Sequence, residues 1–270
     1  MAPRNHDPTS RRIVDVMTTS TSHLRRGQRL LGYVLSAALV LVLAPTSTDA
    51  AGRYTVEVGG RGDWVAQTNF VQCVGASMQM MLNMIEPGRD ATARTQQRLQ
   101  VLARSWSGVR PDGRERQGAS VRGWAAGLNI QGAGPYKLVG ETTLAGALRT
   151  AARAIAATGK PVGLLVWRGR HAWVMSGFTA TADPLTATDF KVTRVIVHDP
   201  LYPHGSSAWG PSPRPGGSVT PTTLGRQFVP RRNSSWLMGG AGTTPSALGG
   251  KYVLVLPYEV DMVSRAATTR

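Results

Sequence analysis

The chain has 270 residues, 41% hydrophobic and 17% charged, a balance that excludes an intrinsically disordered protein and leaves enough material for a core without disulfide or metal staples. Its formal net charge is +16, and only four of the 31 basic residues are lysines (Lys137, Lys160, Lys191 and Lys251). The surplus suits anionic surfaces such as a cell-surface polymer, acidic peptides or phospholipid headgroups, while arginines scattered rather than clustered among aromatics argue against nucleic acid and read as a compositional habit.

In chain order, the first feature is Leu30–Ala44, a charge-free apolar run preceded by Arg25, Arg26 and Arg29 and followed by small residues around Thr48 and Ala50. That order predicts an export signal over residues 1–50, cleaved after Ala50, with the remainder secreted or otherwise outside the cytoplasm. The run is shorter than the ~20 residues a membrane-spanning helix prefers, so an anchor formed by residues 30–44 is the second reading. The membrane is expected as a partner only through this segment. Met17 is an alternative start that gives a more compact signal.

Residues 51–270 read as one domain. Arg53–Val58 alternates as a short strand, followed by a turn at Gly59–Gly62. From Cys73, the positions Ala76, Ser77, Met80, Met81 and Met84 recur at helical spacing until Pro87–Gly88 stops the run. A polar helix is expected over Ala91–Ser105 and a short one from Ser120 to Leu128, with Ser120 as N-cap. Thr142 and Thr143 precede an amphipathic helix with Leu144, Ala147, Leu148, Ala151 and Ile155 on one face, closed by Gly159. Strands follow over 162–167, over His171–Phe178 after an Arg168-Gly169-Arg170 turn, over Val192–Val197, and over Tyr252–Leu256 at the end. Residues 203–250 are rich in Gly, Pro and Ser, and read as a flap or a long surface loop. Helices first and an antiparallel sheet afterwards predict an α+β fold.

An exported protein normally pairs its cysteines, yet this chain has one. A small buried apolar role would explain Cys73, but its place in the first turn of a helix, where the dipole favours a thiolate, suits a nucleophile better. Gln67, six residues earlier, could donate from its amide to an oxyanion beside the Cys73 N–H; Gln72 is too close to the cysteine for that role. His171 opens a strand after a tight turn and suits a general base. Asp199 ends the neighbouring strand, where a carboxylate can orient the imidazole. His198 alternates to the opposite face from Asp199, and His204 reads as a surface residue. Trp64, Trp167 and Trp173 lie near these elements, with core packing expected for at least two of them. No residues have metal-ligand spacing, and no cofactor is expected.

The segments QTNFVQCVGASMQMML, GKPVGLLVWRGRHAWVMSGF and VIVHDP resemble the bacterial papain-like cysteine peptidases related to the bacteriocin-leader (double-glycine) peptidases. The resemblance spans residues 60–200 and implies a papain-like fold, in which a helical part bearing the catalytic helix packs on a C-terminal antiparallel sheet. It also implies a peptide or protein substrate, a Cys73–His171–Asp199 triad and Gln67 in the oxyanion hole. Two departures stand out: Val74 follows the cysteine where the family has Gly, and no G-x-x-x-x-G-K-[ST] loop is present. Leader processing coupled to a transporter is therefore not expected. An inactive papain-like binding module, another Cys–His acyltransferase or cell-wall amidase, and an anchored structural protein remain as alternatives.

Overall fold

A computed structural model describes residues 48–49, 53–86, 88, 90–108, 117–232 and 247–259, all within the compact unit formed by residues 43–270. The expected signal's basic flank Arg25–Arg29 and apolar run 30–44 lie outside the described residues. Among those described, no helix is long and apolar enough to cross a membrane.

Among the described residues, eight strands form one antiparallel sheet: β1 (Thr48–Asp49), β2 (Arg53–Glu57), β3 (Tyr136–Glu141), β4 (Val162–Val166), β5 (His171–Ala180), β6 (Val192–His198), β7 (Gly217–Val219) and β8 (Tyr252–Pro257). Their order is β1-β2-β5-β4-β8-β3, with β6 also paired to β5 and β7 to β6. β5 organises the sheet. One of its edges pairs with β4 over His171–Met175 and with β2 over Gly177–Ala180, while β6 pairs with Val174–Ala180. The two paired registers Val166↔His171 and Val174↔His198 bring the start of β5 and the end of β6 close together.

Among the described residues, five helices pack with it: α1 (Cys73–Ile85), α2 (Ala93–Ser105), α3 (Val121–Ile130), α4 (Leu144–Thr158) and the single turn α5 (Pro221–Gly225). The caps follow sequence chemistry. Thr92, Ser120 and Thr143 accept from the third residue of α2, α3 and α4 respectively, and Gly159 ends α4 in the left-handed conformation at φ 63°. α1 is the exception, because Gln72 at its N-cap position makes no side-chain cap.

The sheet is buried on both faces, so its central strands read as nearly continuous apolar runs. Val162, Leu164, Val166, Trp173, Met175, Leu254 and Leu256 face α4, which contributes Ala147, Leu148, Ala151 and Ile155. The alternate residues Leu165, Ala172, Val174, Val253 and Val255 face α1–α3. Helix α1 is wedged between β5, α2 and α3, and every residue from Val74 to Met81 is buried. The helical spacing after Cys73 predicted one buried face; packing on three sides buries the whole of that stretch.

The class is α+β, but strands and helices are more interleaved than the sequence suggested. β2 joins the sheet from the N-terminal side, and the edge strand β3 precedes α4 and pairs with β8. The strand expected over 162–167 ends at Val166, because Trp167 turns to φ 55°. The stretch 203–250 contains β7 and α5 within its described part, so it is not simply loop.

Close helix contact sets a test of this packing. A Cβ on Gly123 of α3 would overlap the Ala103 carbonyl of α2, whereas one on Gly127 would meet only the methyl end of Met78 at 2.5 Å. Backbone cannot yield as a thioether can, so Gly123→Ala is expected to lower unfolding free energy by about 2 kcal/mol or more. Gly127→Ala is expected to change it by less than about 1 kcal/mol, since alanine's helix propensity offsets the shift of Met78. Urea denaturation of the two variants gives the comparison.

Candidate active site

The site assembles around a carboxylate that has been taken out of water. Asp199 follows the last residue of β6 and is fully buried. Its Oδ1 receives His171 Nε2 at 2.7 Å and the Leu201 N–H at 2.8 Å, while Oδ2 receives the Ser212 hydroxyl. Its main-chain carbonyl accepts from Trp64 Nε1 at 2.9 Å. A buried charge is tolerated only when its lone pairs are met this fully.

His171, 4% exposed, stands at the start of β5. With Nε2 committed to Asp199, Nδ1 is the ring nitrogen available to Cys73. Burial alone pushes this imidazole down. The hydrogen bonds to Asp199 and to Cys73, reinforced by the charges of both partners, outweigh it and raise the pKa to about 9. Trp167 lies against the ring, with centroids 4.2 Å apart and planes inclined by 24°. An indole face so placed stabilises the charged form of the imidazole.

Cys73, half-buried, is the first residue of α1. Among the described residues, nothing accepts from its N–H, which leaves that donor for an anion at the helix mouth. The loop before it has no regular structure, and glutamines of α2 satisfy its backbone. Gln96 accepts from Thr68 N at 2.7 Å and donates to Ala66 O at 2.8 Å. One turn later, Gln100 accepts from Gly75 N at 2.9 Å and donates to Val71 O at 2.9 Å. Gly75 permits this approach, since a Cβ there would come within 2.8 Å of the Gln96 carbonyl and 2.9 Å of Gln100 Cβ.

The four residues expected from sequence are arranged unequally. Cys73, His171 and Asp199 come together in one chain of contacts. Gln67 is tied to the same region through its N–H, which donates to Pro200 O at 2.8 Å, directly after Asp199. Its side-chain amide, however, donates to Asn69 O at 2.8 Å, and its buried Oε1 has no partner among the described residues. One amide hydrogen is thus spent within the loop, and the other remains. Gln72 faces away from such a role and bonds Thr68 and Gln97.

His198 points to the other side of β6. Its Nε2 meets the Ser176 hydroxyl at 3.0 Å, and burial holds its pKa down at about 4, so it is neutral. His204 is exposed. Trp173 is core, Trp167 is buried against His171, and Trp64 is half-buried on Asp199. The sequence pointed to Trp167 as lying near the site, but not to Ser212 or Gln227 as supports of it. Gln227 accepts from both Trp167 Nε1 and Trp167 N, at 2.9 Å each, from its side chain and main chain, and donates to Pro211 O at 2.9 Å. The Gly/Pro-rich stretch therefore forms the wall behind the triad. Gln96 and Gln100 carried a signal, their i, i+4 spacing on a polar helix; Ser212 carried none.

No protein-family model and no curated protein matches the chain. Among the described residues, no group of three or more His, Cys, Asp or Glu side chains could hold a metal ion.

The raised His171 pKa fixes a pH dependence. The folded value, about 9, lies above the ordinary 6.5, so folding binds this proton more tightly. The stability His171 contributes is full below about pH 6.5 and is lost as pH rises through about 9. Urea denaturation of the parent and His171→Gln from pH 5.5 to 10 is expected to show their difference shrinking across that window; a difference independent of pH would contradict the ion-pair geometry.

Proposed function

We propose that this chain is an exported papain-like cysteine peptidase that hydrolyses peptide bonds. The observation that carries the reading is the buried His171, held by Asp199 through Nε2 and with its pKa raised by Asp199 and by Cys73, the first residue of a helix. The sequence resemblance supports the fold family and the substrate class, and the N-terminal apolar run supports export.

In this mechanism His171 Nδ1 takes the Cys73 proton, and the thiolate attacks the substrate carbonyl carbon. The oxyanion lies against the Cys73 N–H and the remaining amide hydrogen of Gln67. Asp199 and the Trp167 face hold the imidazolium in place while it passes its proton to the leaving amine. A thioester remains. Water then gives a proton to His171 and its oxygen to the acyl carbon, releasing the acid and restoring the thiol.

Hydrolysis of a fluorogenic peptide library by the full chain tests the reading. The parent is expected to cleave a subset of peptides, and Cys73→Ala to lose that activity by about 10⁴-fold or more. Iodoacetamide at pH 6 is expected to alkylate Cys73 quickly in the parent and at least about tenfold more slowly in His171→Gln. A parent that cleaves no peptide, with a thiol as slow as free cysteine, would sink the proposal.

A further inference from the structure

A cavity of about 450 Å³ lies on the α4 face of the sheet, and none of its lining residues is Cys73, His171, Asp199 or Gln67. Leu148 of α4 and Phe190, both 2% exposed, join the cavity to the core. Leu144, Val192 and Pro221, the first residue of α5, are half-buried and extend the apolar lining. The volume falls within the roughly 300–1,000 Å³ of small-molecule sites.

The walls are tied down. Arg153 of α4 donates to Pro184 O and Thr188 O, at 3.3 Å each, and its guanidinium stands 5.2 Å from the centre of the Phe190 ring. Lys191 N donates to Thr181 Oγ1 at 3.0 Å, and Thr181 N to Lys191 O at 2.9 Å. Leu144 meets α5, where a Cβ on Gly225 would come within 2.9 Å of its Cδ2. Walls fixed by such contacts are in place before a ligand arrives, so binding spends little on ordering them.

Charge narrows the ligand. The ionisable residues of the lining are Arg149, Lys191 and Asp189, two cations against one carboxylate. Arg149 Nη1 stands 3.8 Å from Asp189 Oδ1 at an exposed position, where a pairing is weak. Lys191 is exposed and makes no ion pair among the described residues. The net charge of +16 adds to this local field. An alkyl chain gains by leaving water for this lining, and an anionic head gains beside the cations. A cationic head would be repelled, and a neutral one would leave the surplus positive charge unanswered.

We infer that this cavity binds a single-chain amphiphile with an anionic head, of the medium-chain alkyl carboxylate class. The chain lies against Leu144, Leu148, Phe190 and Val192, with the head toward Lys191. This site stands apart from the peptidase reading, because no residue of the triad takes part in it.

Isothermal titration calorimetry of the full chain with hexanoate, octanoate and decanoate, each below its micellar concentration, tests the assignment. One-site binding is expected, tightening about tenfold for each two methylenes added. Decanol is expected to bind about threefold more weakly than decanoate, and decyltrimethylammonium more weakly still. Lys191→Gln is expected to weaken decanoate about threefold while leaving decanol unchanged. Ala145→Trp, at an exposed lining position of α4, is expected to abolish binding of both with the parent's thermal unfolding midpoint. Should that midpoint fall, the Lys191→Gln comparison decides. No binding by the parent, affinity independent of chain length, or equal affinity for decanoate and decanol overturns the inference. So does binding that neither variant changes, which would place the amphiphile elsewhere on the chain. Binding of phosphatidylglycerol vesicles without binding of decanoate, lost in Ala145→Trp, overturns it in favour of a membrane contact.

Discussion

The structure around the site depends on one buried carboxylate. Asp199 is removed from water entirely, and an unpaired charge there would cost several kcal/mol. Its donors come from separate parts of the chain: His171 from the start of β5, Leu201 from the following turn, Ser212 from the Pro-rich stretch, and Trp64 on its carbonyl from the N-terminal loop. Meeting the needs of this one group draws these four segments to a common point. It also fixes the imidazole, because a ring bonded through Nε2 to a carboxylate can offer only Nδ1 to the thiol.

Cys73 is held by a different device. Residues 66–72 form no helix or strand, so their N–H and C=O groups lack ladder partners and would be costly to bury unmet. Gln96 supplies both a donor and an acceptor to this loop, and Gln100, one helical turn on, donates to Val71 O and accepts from Gly75 N in the first turn of α1. Neutral amides do this without adding charge beside Cys73 and His171. Gly75, one residue later than the resemblance would place a glycine, lets the two helices close to the distance these bonds need.

Strain enters at the turn between β4 and β5. Trp167 and Arg168 have φ of 55° and 57°, a region that non-glycine residues enter at a cost of order 1–3 kcal/mol each. Gln227 offsets it by bonding both the main chain and the indole of Trp167. The outcome is an indole stacked on His171, a placement that an extended Trp167 continuing β4 would not give. The wall that carries Gln227 and Ser212 therefore acts on the site without contributing a reacting group.

Much of the frame was legible in the sequence because it follows from local rules. Helical spacing after Cys73, the caps Ser120 and Thr143, the stop at Gly159 and the apolar runs of β4, β5, β6 and β8 are decided by residues close together in the chain, and each appears where expected. So do Cys73, His171 and Asp199 at element ends, where scarce residue types stood out against the composition. What only the tertiary structure decided involves partners far apart in sequence. Ser212 on Asp199, Gln227 on Trp167, the edge strand β3 and the turn of the Gln67 amide toward Asn69 left no periodic mark, because a hydrogen bond across the fold depends on where the backbone has gone, and a single side chain does not record that in its neighbours.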